Sequence, residues 1–231
     1  MGYITNKLSA YPRLSKAYRI FKKVVFYLFI FQLVYTRVLI FMPVYTTPTI
    51  IGQWLSGKTI QKVWVSLPHI SESAQRAFIA KEDQDFGEHL GFDIDEIEEA
   101  VEYNKTHKNK RGASTITQQV AKNVFLWQSR NWIRKGLEVY CTLVVELFWS
   151  KKRILEVYMN IAEMGEGIFG IEAAAQHYFG KPASKLNTEE SALIAASLSN
   201  PIIFKVNDPS ARMLKKQRWI IREMKNVEWE R

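Results

Sequence analysis

The sequence predicts an all-α protein, in which one membrane-crossing helix precedes a helical domain. The first observation is the run VVFYLFIFQLVYTRVLIFM at residues 24–42, which is apolar almost throughout. The second is that, from residue 71 onward, apolar residues recur at helical spacing behind serine, threonine and aspartate residues, which favour helix N-caps. The chain shows no internal repeat and no low-complexity tract.

The apolar run at residues 24–42 has the length of a membrane helix, since ~1.5 Å per residue gives about 28 Å against a ~30 Å hydrocarbon core. Basic residues precede it: Lys7, Arg13, Lys16, Arg19, Lys22 and Lys23. Because few basic residues follow it, the positive-inside rule places the N-terminus in the cytoplasm and the body of the protein outside. We therefore divide the chain into a basic cytoplasmic tail (1–23), a transmembrane helix (24–42), a connector (43–67) and a helical domain (68–231).

Two other interpretations of the apolar run stay open. A cleaved signal peptide would have a shorter apolar core and small residues at its cleavage site, whereas MPVYTT follows here. A buried helix of a soluble domain would not explain the one-sided basic flank. The net charge of +9 belongs to residues 1–67, which contain no acidic residue, so the neutral remainder gives no reason to expect a nucleic-acid partner.

The apolar periodicity predicts a series of helices along the helical domain. We expect them at 71–85, 93–103, from Ser114 onward, 130–149, after Ser150, at 171–179, from Thr188 onward and at 208–225. We also expect a short strand within 59–67 and a mobile loop at 104–113. The second half of the 130–149 helix is apolar on all sides, which predicts the central core helix, with Cys141 as a buried and unreactive thiol.

Acidic residues crowd the end of the first predicted helix, where Glu82, Asp83, Asp85 and Glu88 precede His89. A carboxylate beside others at a helix end can act as a general base, although a solvated acidic face is the alternative. His89 could in principle bind a metal ion, but no second histidine or cysteine lies at the spacing of a metal site.

Two polar stripes follow on the next two helices. Ser114, Gln118 and Lys122 are spaced by four residues and are flanked by Thr115 and Gln119. Arg130, Arg134 and Glu138 repeat this spacing beside Lys135. Four cations among hydroxyls and amides suit a pyrophosphate and a sugar, and the alternative is again a solvated helix face. With a carboxylate base and a membrane anchor, the pattern favours glycosyl transfer from a lipid-linked donor.

At this point the chain resembles the biosynthetic peptidoglycan glycosyltransferases (glycosyltransferase family 51) in their monofunctional form. The motifs are EDQDFGEHLG from Glu82, RGASTITQQVAKN from Arg111, RKGLE from Arg134, KKRILEVYMN from Lys151 and GIFGIEAAAQHYFGK from Gly167. The resemblance covers about Leu67 to Met224, and its departures are mild: GAST for GGST, TQQ for SQQ and LSNP for LPNP. It implies a lysozyme-like helical fold.

The resemblance also implies a reaction and a set of residues. The growing lipid-linked glycan is transferred onto the 4-hydroxyl of lipid II with inversion, giving a β-1,4 product and undecaprenyl diphosphate. Glu82 is the implied general base and Glu138 the second essential carboxylate. The implied substrate-binding positions are Ser114, Thr115, Gln118, Gln119, Lys122, Arg130, Arg134, Lys135, His89 and Asn160. For Asn160 and its neighbour Glu156, a structural role in holding the cleft fits equally well.

The expected partners are lipid II, the growing glycan strand and membrane lipids, with penicillin-binding transpeptidases and division proteins as further candidates. No Ser-x-x-Lys motif occurs, so we expect no transpeptidase activity. No cofactor is certain: Mg²⁺ often assists pyrophosphate departure, yet no ligand set is visible, so a divalent cation stays open. Two alternative functions remain. A glycan-cleaving lytic transglycosylase or lysozyme would not need the cations of the two polar stripes. A non-catalytic glycan-binding subunit would not need the carboxylates.

Overall fold

The computed structural model describes residues 12–129 and 131–229, and it divides into two compact units, 1–42 and 43–231. The described part of the first unit contains helix α1 (Pro12–Val38), whose apolar side chains are largely exposed. Helix formation over most of the predicted span is confirmed, but α1 ends at Val38. None of the described helices is at once long and apolar enough to cross a membrane. The predicted transmembrane helix at 24–42 is therefore not confirmed.

The second unit is mainly helical, as predicted. Its helices are α2 (Pro48–Leu55), α3 (Glu72–Glu82), α4 (Ile94–Thr106), α5 (Ile116–Phe125), α6 (Trp132–Phe148), α7 (Lys151–Ile161), α8 (Ile171–Phe179), α9 (Thr188–Ser197) and α10 (Ala211–Glu223). Short 3₁₀ turns occur at Leu67–His69 and Ala183–Lys185. α5 packs against α6 and α7, whereas α9 packs against α3 and α10.

A small sheet ties the connector to the hairpin that follows α7. Its strands are β1 (Gln61–Lys62), β2 (Glu163–Gly165) and β3 (Ile168–Phe169). β3 is central, with β1 parallel and β2 antiparallel to it. The strand predicted at 59–67 is shorter than expected, because beyond β1 a side chain of α7, rather than a neighbouring strand, holds the backbone of Val65.

The helix starts follow the hydroxyl side chains. Ser71 and Ser150 cap α3 and α7 as predicted, each accepting a backbone N–H. Two helices begin beyond their predicted positions: Thr115 rather than Ser114 caps α5, and Ser210 caps α10, which the sequence predicts to begin at residue 208.

The centre of the core is α7, with Ile154, Leu155 and Val157 fully buried. The prediction that the helix at 130–149 forms the central core is wrong. On α6, the side chains of Trp132 and Leu147 are 91% and 75% exposed. The second half of α6 is apolar on all sides, but its buried residues lie on the side that meets α5, and its other side is exposed.

Candidate functional site

A cleft with a volume of about 760 Å³ lies beside the C-terminal end of α3, where Glu82 is the last helical residue. Ser114 and Gln119 line it together with Glu82, as the sequence predicts. The other charged lining residues are Lys81, Asp83, Asp85, Asp93, Asp95, Glu96, Glu99, Arg111 and Lys216. The cleft is therefore predominantly acidic, with a few cations at its edges.

Two neighbours orient the Glu82 carboxylate. Its Oε1 lies 2.9 Å from the Lys81 ammonium, and its Oε2 accepts a hydrogen bond of 2.7 Å from Gln119 Nε2. The side chain is 13% exposed, so substrate can reach it. Because a carboxylate oxygen has two acceptor sites, Glu82 keeps the capacity to take a proton from a substrate hydroxyl.

Asp83, the next residue, links the two walls of the cleft. Its Oδ2 accepts a hydrogen bond of 2.8 Å from the backbone N–H of Ile116 at the start of α5. Its Oδ1 lies 2.7 Å from His89 Nε2. Because the Gly91 N–H donates to His89 Nδ1, we assign the ring proton to Nε2, which donates to Asp83. His89 is thus a link in this chain of hydrogen bonds, and it does not line the cleft.

Thr115 and Gln118 form a capping box behind the cleft wall. Thr115 Oγ1 accepts from the Gln118 N–H at 3.2 Å, and Gln118 Oε1 accepts from the Thr115 N–H at 3.1 Å. Thr115 Oγ1 also donates to the Gly91 carbonyl at 2.8 Å. Both side chains are buried, so these two predicted substrate-binding residues face the interior, while Ser114 and Gln119 face the cleft.

Gly91 is the residue that lets this turn lie against α6. Its φ is +87°, which favours glycine, and an added Cβ would meet the side chains of Thr142 and Glu146 at 2.8 Å. Glu146 Oε1 in turn accepts a hydrogen bond of 2.6 Å from Thr117 Oγ1. The Thr117 hydroxyl, like that of Thr115, therefore makes its hydrogen bond inside the domain.

A cation cluster surrounds Glu138, which is 3% exposed on α6. Arg134 Nη1 donates to Glu138 Oε2, and Lys135 Nζ donates to Oε1 at 2.6 Å. Arg134 Nε also donates to the carbonyl of Ser129. Because Glu138 is nearly inaccessible and pairs with two cations, it orients those cations rather than meeting a substrate hydroxyl. Arg130, predicted to join them, lies outside the described residues.

Lys122 of α5 is within electrostatic reach of both carboxylates. It is partly buried, and its ammonium makes no hydrogen bond or ion pair with the described residues. Burial lowers its pKa, an effect that Arg134 and Lys135 strengthen and that Glu138 and Glu82 oppose. A partly desolvated cation with this surrounding is suited to an anionic ligand.

Asn160 and Glu156 do not line the cleft. Asn160 is fully buried, accepts from the Val65 N–H and donates to the Val65 carbonyl, both at 2.8 Å. Glu156 Oε2 accepts from the Leu67 N–H at 2.8 Å. The two residues fasten the connector to α7.

Sequence reasoning missed Lys216 and Trp219, which bring α10 to the edge of the cleft. Burial lowers the pKa of Lys216 to about 8, with a further contribution from Lys81, while Glu82 opposes the shift. The signal was present in the sequence, since basic residues recur at helical spacing along α10. Within 12–129 and 131–229, no group of three or more histidine, cysteine or carboxylate side chains could hold a metal ion. Participation of a divalent cation stays a prediction.

Known proteins are similar to this chain over about three quarters of its length. A biosynthetic peptidoglycan transglycosylase of Haemophilus influenzae is 60% identical over 169 residues, which are 73% of this chain and 69% of that protein. Proteins with the same name from Yersinia pseudotuberculosis and Yersinia pestis are 53% identical over 178 residues, which are 75% of this chain and 74% of each of them. The family model described as Transglycosylase matches residues 48–225. The chain therefore belongs to the transglycosylase family.

Proposed function

We propose that this transglycosylase polymerises the glycan strands of peptidoglycan. The growing lipid-linked glycan would be transferred onto the 4-hydroxyl of lipid II, with inversion to a β-1,4 linkage and release of undecaprenyl diphosphate. The observation that carries the proposal is the position of Lys122, within electrostatic reach of both Glu82 in the acidic cleft and Glu138 in the cation cluster. The names of the relatives support the same substrate class.

The geometry supports a single displacement. Glu82, oriented by Gln119, removes the proton from the acceptor hydroxyl, whose oxygen attacks the anomeric carbon of the donor. The bond to the pyrophosphate breaks, and its electron pair leaves with the pyrophosphate oxygen. Lys122, Arg134 and Lys135 stabilise that charge, and Glu138 keeps the latter two in place. Attack opposite the leaving group converts an α-linked donor into a β-linked product.

The cations favour transfer over cleavage. A lysozyme or lytic transglycosylase cleaves the bond between two sugars and needs an acidic carboxylate, but it has no pyrophosphate to stabilise. We keep the lysozyme-like fold as part of the proposal, because a glutamate at a helix end opens here into a cleft among helices.

We further propose that the protein works at the cell inner membrane, with its catalytic domain in the periplasm and cross-linking left to transpeptidase partners. Phe26, Leu28 and Phe31 of α1 are largely exposed, as are Trp132 and Leu147 of α6. Exposed apolar surface of this kind marks interaction sites, and a lipid-linked substrate makes a lipid surface the fitting partner.

A topology experiment tests the location. A reporter that is active only outside the cytoplasm is fused to the C-terminus of the full chain in one strain and to the N-terminus in another. We expect activity only from the C-terminal fusion. An active N-terminal fusion would contradict the proposed orientation.

A polymerisation assay tests the reaction. Purified protein given labelled lipid II should produce long glycan strands, and Glu82→Gln should lower the rate by at least ~100-fold because the general base is lost. Glu88→Gln is the matched control, since Glu88 lies in the same segment but is exposed and does not line the cleft. Normal polymerisation by Glu82→Gln would exclude Glu82 as the base.

A further inference from the structure

A second cavity, with a volume of about 640 Å³, lies along α10 next to the cleft. Five basic residues line it, Arg212, Lys215, Lys216, Arg218 and Arg222, and no acidic residue does. Lys216 and Trp219 line both this cavity and the cleft that contains Glu82. We call this second cavity the α10 groove.

The cations of the α10 groove are not neutralised by the described part of the protein, where none of the five forms an ion pair. The Arg212 guanidinium lies 5.8 Å from the centre of the Phe204 ring, and Lys216 donates to Ser199 Oγ. Like charges held together are unfavourable, and the lowered pKa of Lys216 partly reflects the charges of Lys81 and Arg212. An anionic ligand would relieve this repulsion.

The two adjacent cavities are lined by opposite charges, which constrains what kind of ligand could occupy both. The cleft is predominantly acidic around Glu82 and suits an uncharged sugar hydroxyl, whereas the α10 groove suits negative charge. The pyrophosphate of the donor is assigned to the cation cluster around Glu138, on other helices. Because the groove adjoins the cleft that contains Glu82, its anion would belong to the acceptor.

We propose that the α10 groove binds the carboxylates of the peptide branch carried by the acceptor sugar. The inference rests on the proposed function, because a peptidoglycan precursor carries a peptide, and a peptide ends in a carboxylate. Arginine side chains recognise carboxylates through paired N–H donors. With its peptide in the groove and its sugar in the cleft, the acceptor would be held at two points, and its hydroxyl would face Glu82.

The test measures binding without requiring catalysis. Full-length protein is titrated calorimetrically, at low ionic strength, with a soluble disaccharide that carries the peptide but no lipid, and with the same compound amidated at its carboxylates. The wild type should bind the acid about tenfold more tightly than the amide, and Arg212→Gln/Arg222→Gln should bind both equally weakly. Lys185→Gln/Lys225→Gln removes the same charge from exposed positions outside the groove and should behave like the wild type.

Several results would overturn the proposal. These are equal affinity of the wild type for acid and amide, or wild-type binding by the Arg212→Gln/Arg222→Gln variant. Inorganic pyrophosphate that displaces the peptide and binds in the groove more tightly would make it a phosphate site instead. Lys215→Gln, at an exposed position, gives an independent variant with an expected loss of about threefold.

The outcome separates the groove from the reaction. If the wild type distinguishes acid from amide but makes no polymer from lipid II, the proposed function fails and the groove assignment stands. If polymer forms and the acid is not preferred, only the groove assignment fails.

Discussion

Lys122 and Arg134 carry the same charge, but they differ in what surrounds them, and this difference separates binding from folding. Arg134 donates to the buried Glu138 and to the carbonyl of Ser129. Lys122 makes no such bond within the described chain, and burial disfavours its charged form. The two cations, which the sequence places on the polar stripes of two successive helices, therefore have different structural roles.

Substitution should reveal this difference. We expect Lys122→Ala to weaken binding of the lipid-linked donor while leaving the temperature of unfolding unchanged or raised. Arg134→Ala should lower the free energy of unfolding by about 2 kcal/mol, because it removes charge-assisted hydrogen bonds from a buried carboxylate. Thermal unfolding and donor titration measure the two effects. A collapse of stability in Lys122→Ala would make Lys122 a structural residue.

Cys141 provides a pH-dependent test at the same scale. Burial raises its pKa to about 11, with a further contribution from Glu138, so the fold favours the protonated thiol. Because the thiolate is the nucleophile, iodoacetamide at pH 8 should alkylate native protein about 100-fold more slowly than urea-unfolded protein. The native rate should rise about tenfold per pH unit up to pH 10. Equal rates in the two states would show that Cys141 is accessible.

At the scale of elements, the start of α5 divides one sequence motif into a folding part and a binding part. Thr115 caps the helix and donates to Gly91, whereas Ser114 is exposed in the cleft. Thr115→Ala should therefore lower the free energy of unfolding by about 1–2 kcal/mol, the usual cost of losing an N-cap. Ser114→Ala should raise KM and leave the unfolding temperature unchanged. The reverse pattern would mean that Ser114 supports the helix.

The sequence predicted the local features and missed those set by distant contacts. The caps at Ser71 and Ser150 and the Arg134–Glu138 pair depend on residues three or four apart, and all three are present. Helical spacing shows which residues share a face, but it does not show which face meets the cleft. Thr115 could not be placed in the interior without knowing that Gly91 packs beside it.

For the molecule as a whole, the exposed apolar side of α6 requires a partner that covers it. Ile133 and Leu147 are 76% and 75% exposed. If this side meets the lipid that carries the substrate, Ile133→Ser/Leu147→Ser should slow polymerisation of vesicle-borne lipid II about tenfold. The same variant should keep its rate on substrate dispersed in detergent, and its unfolding temperature should not change. An equal loss in detergent would instead assign these side chains to the chemistry.

Asp83 holds the end of α3 and the start of α5 through the same carboxylate, with His89 completing the link. The helix that presents Glu82 and the helix that presents Gln119 are therefore fixed to each other by the Asp83 side chain, as well as by the hydrogen bond from Gln119 to Glu82. Chimeras between relatives should inherit activity only when residues 82–91 and 114–119 come from one parent. A designer who wishes to alter the side of the cleft around Glu82 and Gln119 must therefore exchange these two separated segments together.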